Sequence, residues 1–250
     1  MKTALARRAV AELLGTAFLV MAVIGSGIAA SRLSPDDLGL QLLENSLITG
    51  AALVALILAL QPVSAAFNPV VTLLERALGA LPSLDAAILI GCQLGGGILG
   101  AVLANLMFGL PAVTTATHNR SSGGLWLGEV VATLGLLLVI FGSVRSGRGH
   151  TVAFAVGGYI TAAYWFTSST SFANPAVTVA RMFSDTFAGI APSSVPMFLL
   201  MQLVGGALGY GLIKFLYPNS TVLAAELAKP VQPKPVQPKP VQQSRQESPS

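Results

Sequence analysis

Six long apolar runs separated by short polar stretches organise this chain, at residues 9–30, 45–61, 86–108, 124–144, 151–167 and 196–217. A helix rises about 1.5 Å per residue and a hydrocarbon core is about 30 Å thick, so these runs predict membrane-crossing helices, the second and fifth near the short limit. Two shorter apolar segments lie between the second and third runs and between the fifth and sixth. Each begins at an Asn-Pro pair: Phe67-Asn68-Pro69-Val70-Val71-Thr72 in the first half and Ala173-Asn174-Pro175-Ala176-Val177-Thr178 in the second. Asn is a favoured N-cap, and Pro is favoured at the first helical position, where its missing N–H costs nothing. The pattern therefore predicts short helices from 69 to about 79 and from 175 to about 185, each about 15 Å long and half a span. Entering from opposite faces, they would meet near the midplane with both Asn side chains and both positive N-termini directed at one spot. The expected fold is an all-α membrane protein of six transmembrane helices and two re-entrant half-helices.

Composition strengthens this reading. Hydrophobic residues make up 53% and charged residues 10%, against about 25% charged in a soluble domain. The apolar run after Arg7 and Arg8 is too long for a cleaved signal peptide and lacks a small-residue cleavage site, so it reads as the first permanent span. With both termini cytoplasmic, all but Arg32, Arg120 and Arg181 of the 14 Lys and Arg residues fall on the cytoplasmic side, the asymmetry expected of a multi-pass protein of an inner or plasma membrane. Topology thus accounts for the net charge of +4, and no nucleic-acid partner is needed to explain it. The single Cys92 cannot form an intrachain disulfide and reads as a packing residue. His118 and His150 fall in opposite loops and cannot share a metal. No nucleophile, base or metal set converges, so neither an enzyme nor a cofactor is expected. Residues 218–250 carry the repeated Lys-Pro-Val-Gln-Pro unit and read as a disordered, Pro-rich cytoplasmic tail.

The two halves repeat one another. Glu12, Thr16, Gly25 and Ser26 match Glu129, Thr133, Gly142 and Ser143 at constant offset, and Gln93, Gly96, Gly97 and Gly100 recur as Gln202, Gly205, Gly206 and Gly209. The duplicated unit is three spans plus one Asn-Pro loop, about 1–108 and about 124–217, within one domain of residues 1–217. Three is odd, so the second copy sits upside down relative to the first, and the functional centre belongs at the midplane where the copies meet. The repeated glycines would let the third and sixth spans approach their neighbours closely.

On these residues the chain resembles the aquaporin and aquaglyceroporin (major intrinsic protein) family from about Ala9 to Tyr217. The resemblance implies one narrow pore per subunit and a homotetramer in the lipid bilayer. It implies that Asn68 and Asn174 donate to the permeating molecule, within the midplane motifs Asn68-Pro69-Val70 and Asn174-Pro175-Ala176. It further implies that Glu12 and Glu129 brace the re-entrant loops by accepting backbone hydrogen bonds, in keeping with the need to satisfy irregular backbone at membrane depth.

Departures from the family pattern bear on selectivity. Val70 stands where the family usually has Ala, a change that trims the pore slightly at most. Orthodox members carry Arg directly after the second Asn-Pro-Ala, and this chain has Val177 there. Carried over by motif, the selectivity ring is Thr49, Ala162, Ser171 and Val177, with Ile48 as the alternative to Thr49. Such a ring has no aromatic, His or Arg, and its expected permeants are small neutral solutes of glycerol size or somewhat larger, as pore diameter and lining donors dictate. The sequence around the second motif is similar to bacterial members associated with arsenic resistance, which implies neutral arsenite and methylated arsenicals beside polyols and water. Arg181, one turn beyond Val177, either lines the outer mouth, or complements the negative C-terminal end of its half-helix or pairs with Asp185. The expected function is a passive channel; the alternatives are a water-selective aquaporin, a secondary transporter or a structural membrane protein.

Overall fold

The computed structural model describes residues 2–218, and every regular element among those residues is a helix. The tail expected at 218–250 lies outside the described residues apart from Pro218. Six long helices are α1 (Lys2–Leu33), α2 (Leu38–Leu60), α4 (Ser83–Met107), α5 (Gly123–Arg145), α6 (Val152–Phe166) and α8 (Val195–Leu216), and two short ones are α3 (Pro69–Ala77) and α7 (Pro175–Ala180). Among the described residues five helices are long and apolar enough to cross a membrane. The sixth, α6, has 15 residues, about 22 Å, and is preceded by a 3₁₀ turn over Gly149–Thr151 that extends it. The second long helix begins at Leu38 rather than 45, because Asp37 caps it by accepting from Leu40 N at 2.9 Å.

Both short helices start as the Asn-Pro chemistry requires. Asn68 caps α3 by accepting from Val70 N at 3.0 Å, and Asn174 caps α7 by accepting from Ala176 N at 2.9 Å. Their ends differ. α3 keeps nine residues, whereas α7 stops after six and tightens into a 3₁₀ turn over Arg181–Phe183, well short of the expected end near 185.

Packing in one half has a counterpart in the other. α1 lies on α4 as α5 lies on α8, α3 lies on α8 as α7 lies on α4, and the α2–α6 and α3–α7 contacts pair equivalent helices. Glycine sets the closest approaches. A Cβ on Gly96 or Gly100 of α4 would collide with the carbonyl oxygens of Leu13 and Ala17 on α1, and one on Gly205 of α8 would lie 2.6 Å from Val130 O on α5. At the α2–α6 crossing a Cβ on Gly50 would stand 2.9 Å from Gly157 O, and one on Gly157 would stand 2.6 Å from Gly50 O. These are small-residue seams, where backbones touch in place of the hydrophobic drive that lipid cannot supply.

Candidate functional site

The two re-entrant loops meet through their asparagines. Asn68 Nδ2 donates to Ala173 O and Asn174 Nδ2 donates to Phe67 O, both at 2.7 Å. Each side-chain oxygen is engaged in capping, and each amide has one N–H committed to the opposite loop, which leaves its second N–H for the lumen. The residues preceding the asparagines, Phe67 and Ala173, adopt left-handed φ values of 49° and 48°. Side chains rarely hold that conformation without support, and its recurrence marks a built feature.

The support comes from matching polar chains. Glu12 accepts from Ser64 Oγ at 2.5 Å, Ala66 N at 2.9 Å, Phe67 N at 2.7 Å and Gln93 Nε2 at 2.8 Å. Glu129 accepts from Phe172 N and Ala173 N, both at 2.9 Å, and from Gln202 Nε2 at 2.6 Å. Gln93 also donates to Thr72 Oγ1 at 2.9 Å and Gln202 to Thr178 Oγ1 at 2.8 Å, and each Thr hydroxyl donates back to the carbonyl of its Asn. Buried carboxylates, amides and hydroxyls thus satisfy the loop backbone at membrane depth. The sequence repeat singles out these glutamines, but their partners are Glu12 and Glu129, which no local pattern reveals.

A single cavity of about 120 Å³ passes the asparagines, with Arg8, Gln61 and Glu75 near one end and Tyr164 and Arg181 near the other. Val71 and Val177, each the third residue of its short helix, line it. Val70 does not face this lumen: its Cγ1 lies 2.8 Å from where a Cβ on Gly206 would sit, so the glycine makes room for it against α8. Ala176 is buried and does not line the lumen either, and its backbone carbonyl lies 3.1 Å from where a Cβ on Gly97 of α4 would sit. Pro69 and Pro175 occupy the first helical positions.

Three of the four expected ring residues, Thr49, Ser171 and Val177, line the lumen, and Ile48 faces outward at 49% exposure. Ala162 does not join them. It lies on the exposed face of α6, whose lumen face carries Val156, Ile160 and Tyr164. Those positions follow a four-residue repeat, and Ala162 points about 200° away from Tyr164 around the helix. The wall therefore contains an aromatic, and Tyr164 Oη lies 3.2 Å from Thr49 Oγ1. It also contains a cation. Arg181 is 2% exposed, its Nε donates to Ala188 O, and its guanidinium carbon stands 3.4 Å from the centroid of the Phe172 ring. Asp185 is turned away, accepting from Thr117 N at 2.8 Å and Thr117 Oγ1 at 3.0 Å. Tyr164, Phe172 and Arg120, which also faces the Phe172 ring, are the residues that motif reasoning misses. Cys92 is partly buried, and no group of three or more His, Cys, Asp or Glu suited to a metal occurs among the described residues.

Comparison with known proteins gives a consistent answer. The family model described as Major intrinsic protein matches residues 1–167 and 145–237. Aquaglyceroporin AqpS of Rhizobium meliloti (strain 1021) is 47% identical over 213 residues, covering 85% of this chain and 91% of that protein. Aquaporin Z of Photorhabdus laumondii is 29% identical over 230 residues, 84% of this chain and 97% of its own. Among solved structures, the aquaglyceroporin from Plasmodium falciparum shares the fold at a TM-score of 0.67 and 20% identity, over 88% of this chain and 99% of that one.

Proposed function

The chain belongs to the major intrinsic protein family, and from that premise we propose that Thr49, Ser171 and Val177, together with Tyr164, form the filter of a pore for polyols and neutral arsenicals. The family is one of passive channels, and this chain is a multi-pass membrane channel for water and small uncharged solutes of the glycerol kind. The observation that carries the finer reading is Val177 on the lumen wall. An aliphatic side chain there adds an apolar patch to a wall that also carries the hydroxyls of Thr49, Tyr164 and Ser171, an amphipathic lining suited to solutes that have both a carbon or arsenic face and hydroxyls. Asn68 and Asn174 offer the passing hydroxyls one N–H each at the midplane, and Glu12 and Glu129 brace the loops that carry them.

A stopped-flow panel of water, glycerol, urea, arsenous acid and undissociated methylated arsenicals on proteoliposomes tests this. Glycerol and arsenical conduction well above empty vesicles is the expected result. Water conduction alone would instead favour a water-selective pore, a reading supported by Tyr164 and Arg181 at the outer lumen. Flux that follows a proton or sodium gradient would favour a secondary transporter, and no conduction of any solute a structural role. No catalytic step and no cofactor enter this reading.

Both termini belong on the cytoplasmic side of an inner or plasma membrane, in keeping with the Lys and Arg asymmetry. Cysteine labelling in sealed cells, on a Cys92→Ala background, should mark Ser121→Cys from outside and leave Arg145→Cys unmarked; both positions are exposed. The assembly is a homotetramer in the bilayer, consistent with large exposed apolar side chains such as Phe154, Trp165 and Phe166. Light scattering of the detergent complex checks the subunit number.

A further inference from the structure

The end of the lumen on the side of the N-terminus is polar in a way the scaffold does not require. Glu75, on α3 one turn beyond the lumen residue Val71, lines the cavity there together with Arg8 from α1 and Gln61 from the end of α2. Arg8 stands one turn before Glu12 on the same helix, so the helix that braces the first re-entrant loop also sets a guanidinium at the mouth. Arg8 and Glu75 are both half-buried. Among the described residues neither side chain has a hydrogen-bond or ion-pair partner, although the Arg8 charge is close enough to act on the Glu75 carboxylate. Gln61 Nε2 makes one long contact, 3.4 Å to Gly149 O. Deeper in this half of the lumen the wall turns aliphatic, with Ile57, Val71, Ile140 and Val152.

The scaffold occurs twice, and this mouth occurs once. Glu12, Asn68, Thr72 and Gln93 have equivalents in the second half, whereas the counterpart of Glu75 is Arg181, and that of Arg8, at the offset that relates the two braces, is Leu125. Glu75 also works against the stability of its surroundings. It lies in the last turn of α3, where the helix dipole disfavours an anion, and Glu12 repels it. A half-buried carboxylate kept under those conditions in a membrane protein, without a donor among the described residues, marks function. The guanidinium beside it offsets its charge over the mouth as a whole, so neither a bare cation nor a bare anion is favoured there. What fits is neutral and carries both donors and acceptors.

We propose that Glu75 and Arg8, with Gln61, form a second selectivity site at this mouth, which takes hydroxylated neutral solutes of the glycerol class and exchanges their hydration for protein hydrogen bonds before they enter the aliphatic stretch. The carboxylate accepts from solute hydroxyls, and the guanidinium and the Gln61 amide donate to solute oxygens. A polyol offers several hydroxyls to these groups at once and a water molecule offers one oxygen, so the site favours the polyol. The inference rests on the reading of the pore as a channel for such solutes and adds a filter at the end opposite Val177.

The test uses the full chain in proteoliposomes and reads glycerol permeability, water permeability and methylammonium uptake per assembled channel. Glu75→Leu should lower the ratio of glycerol to water permeability by about threefold or more, and Glu75→Gln, which keeps one acceptor oxygen, by a smaller factor. Arg8→Met should lower the ratio as well. In the Glu75→Leu background Arg8→Met should lower it by less than it does alone, because both groups hold one solute. A wild-type ratio in an assembled Glu75→Leu channel would overturn the proposal, whether both permeabilities fall together, as a structural role requires, or only methylammonium uptake changes, as a purely electrostatic role requires. Full additivity in the double variant would overturn it too. Should Glu75→Leu fail to assemble, the near-isosteric Glu75→Gln decides on the same ratio. A wild-type protein that conducts no neutral solute would instead remove the channel reading, a result distinct from an unaltered ratio.

Discussion

Replacing Glu12 by Leu should unseat the first re-entrant loop. Leu fills a similar volume, so the principal loss is electrostatic. Four donors lose their acceptor: Ser64 Oγ, Ala66 N, Phe67 N and Gln93 Nε2. An orphaned buried donor costs about 1–3 kcal/mol. The Ser64 hydroxyl can rotate and the Gln93 amide still has Thr72, but the two backbone N–H groups cannot turn away while Phe67 is held at a φ of 49°. Two orphaned N–H groups set a floor of about 2–6 kcal/mol, a large share of the roughly 5–15 kcal/mol that typically stabilises a folded protein. Glu12→Gln keeps one acceptor oxygen. With its amide nitrogen toward Ser64, which can reverse and accept, only Ala66 N is orphaned, for about 1–3 kcal/mol. The expected order is therefore wild type, then Glu12→Gln, then Glu12→Leu. It should appear in the thermal unfolding of the detergent-solubilised protein and in water and glycerol permeability per assembled channel. The two permeabilities should fall together, because the loop carries Asn68 into the lumen. A Glu12→Leu channel that melts and conducts like wild type would refute the brace.

Replacing Val177 by Arg should cut glycerol flux by a larger factor than water flux in stopped-flow assays, because the new cation narrows the lumen about 6 Å from Arg181 along the helix axis; an unchanged solute profile would remove Val177 from the filter. Ala162→Val, on the exposed face of α6, should leave the solute profile at its wild-type values, whereas Tyr164→Ala should raise glycerol flux relative to water. Asn68→Leu and Asn174→Leu should each lose an N-cap worth about 1 kcal/mol and a lumen-facing N–H, seen as lower flux per assembled channel. Gly96→Val should abolish assembled protein on size exclusion, because its Cβ meets the Leu13 carbonyl, while Gly91→Ala, with no neighbour within 4 Å, should assemble normally.

The helices and loops were readable from sequence because their signals are local. Asn at the cap, Pro at the first position and the apolar run that follows announce α3 and α7 without knowledge of anything distant. Thr49 likewise lines the lumen while its neighbour Ile48 points outward. What was not readable depends on contacts far along the chain. Carrying a ring position over by motif gave Ala162, two residues from Tyr164, and a two-residue displacement on a helix turns a lumen residue into an outward one. In the sequence Arg120 stands out only as one of three cations on the outer side, and its burial requires residues 187–194 to fold over it. The early end of α7 belongs to the same tertiary assembly, since Ile190 N bonds back to Arg181 O at 3.3 Å.

The symmetry of the repeat also exposes where this pore departs from symmetry. Counting from the two asparagines, Val71 corresponds to Val177 and Thr72 to Thr178, and both valines line the lumen. One turn further, Glu75 corresponds to Arg181, and both line the same cavity near its opposite ends. The inverted repeat has thus kept its scaffold of Glu, Gln, Thr and Asn and placed opposite charges at its equivalent outer turns. An Arg directly after the second Asn-Pro-Ala would put the cation at the ring itself. With Val177 there and Arg181 a turn away, the width of the ring and the charge of the mouth become separate properties, set by different residues. In the proposed filter Val177 sets the width that solutes meet, and the charge of Arg181 stands a turn away from it, so Val177→Arg and Tyr164→Ala change width and polarity at the ring without touching Arg181.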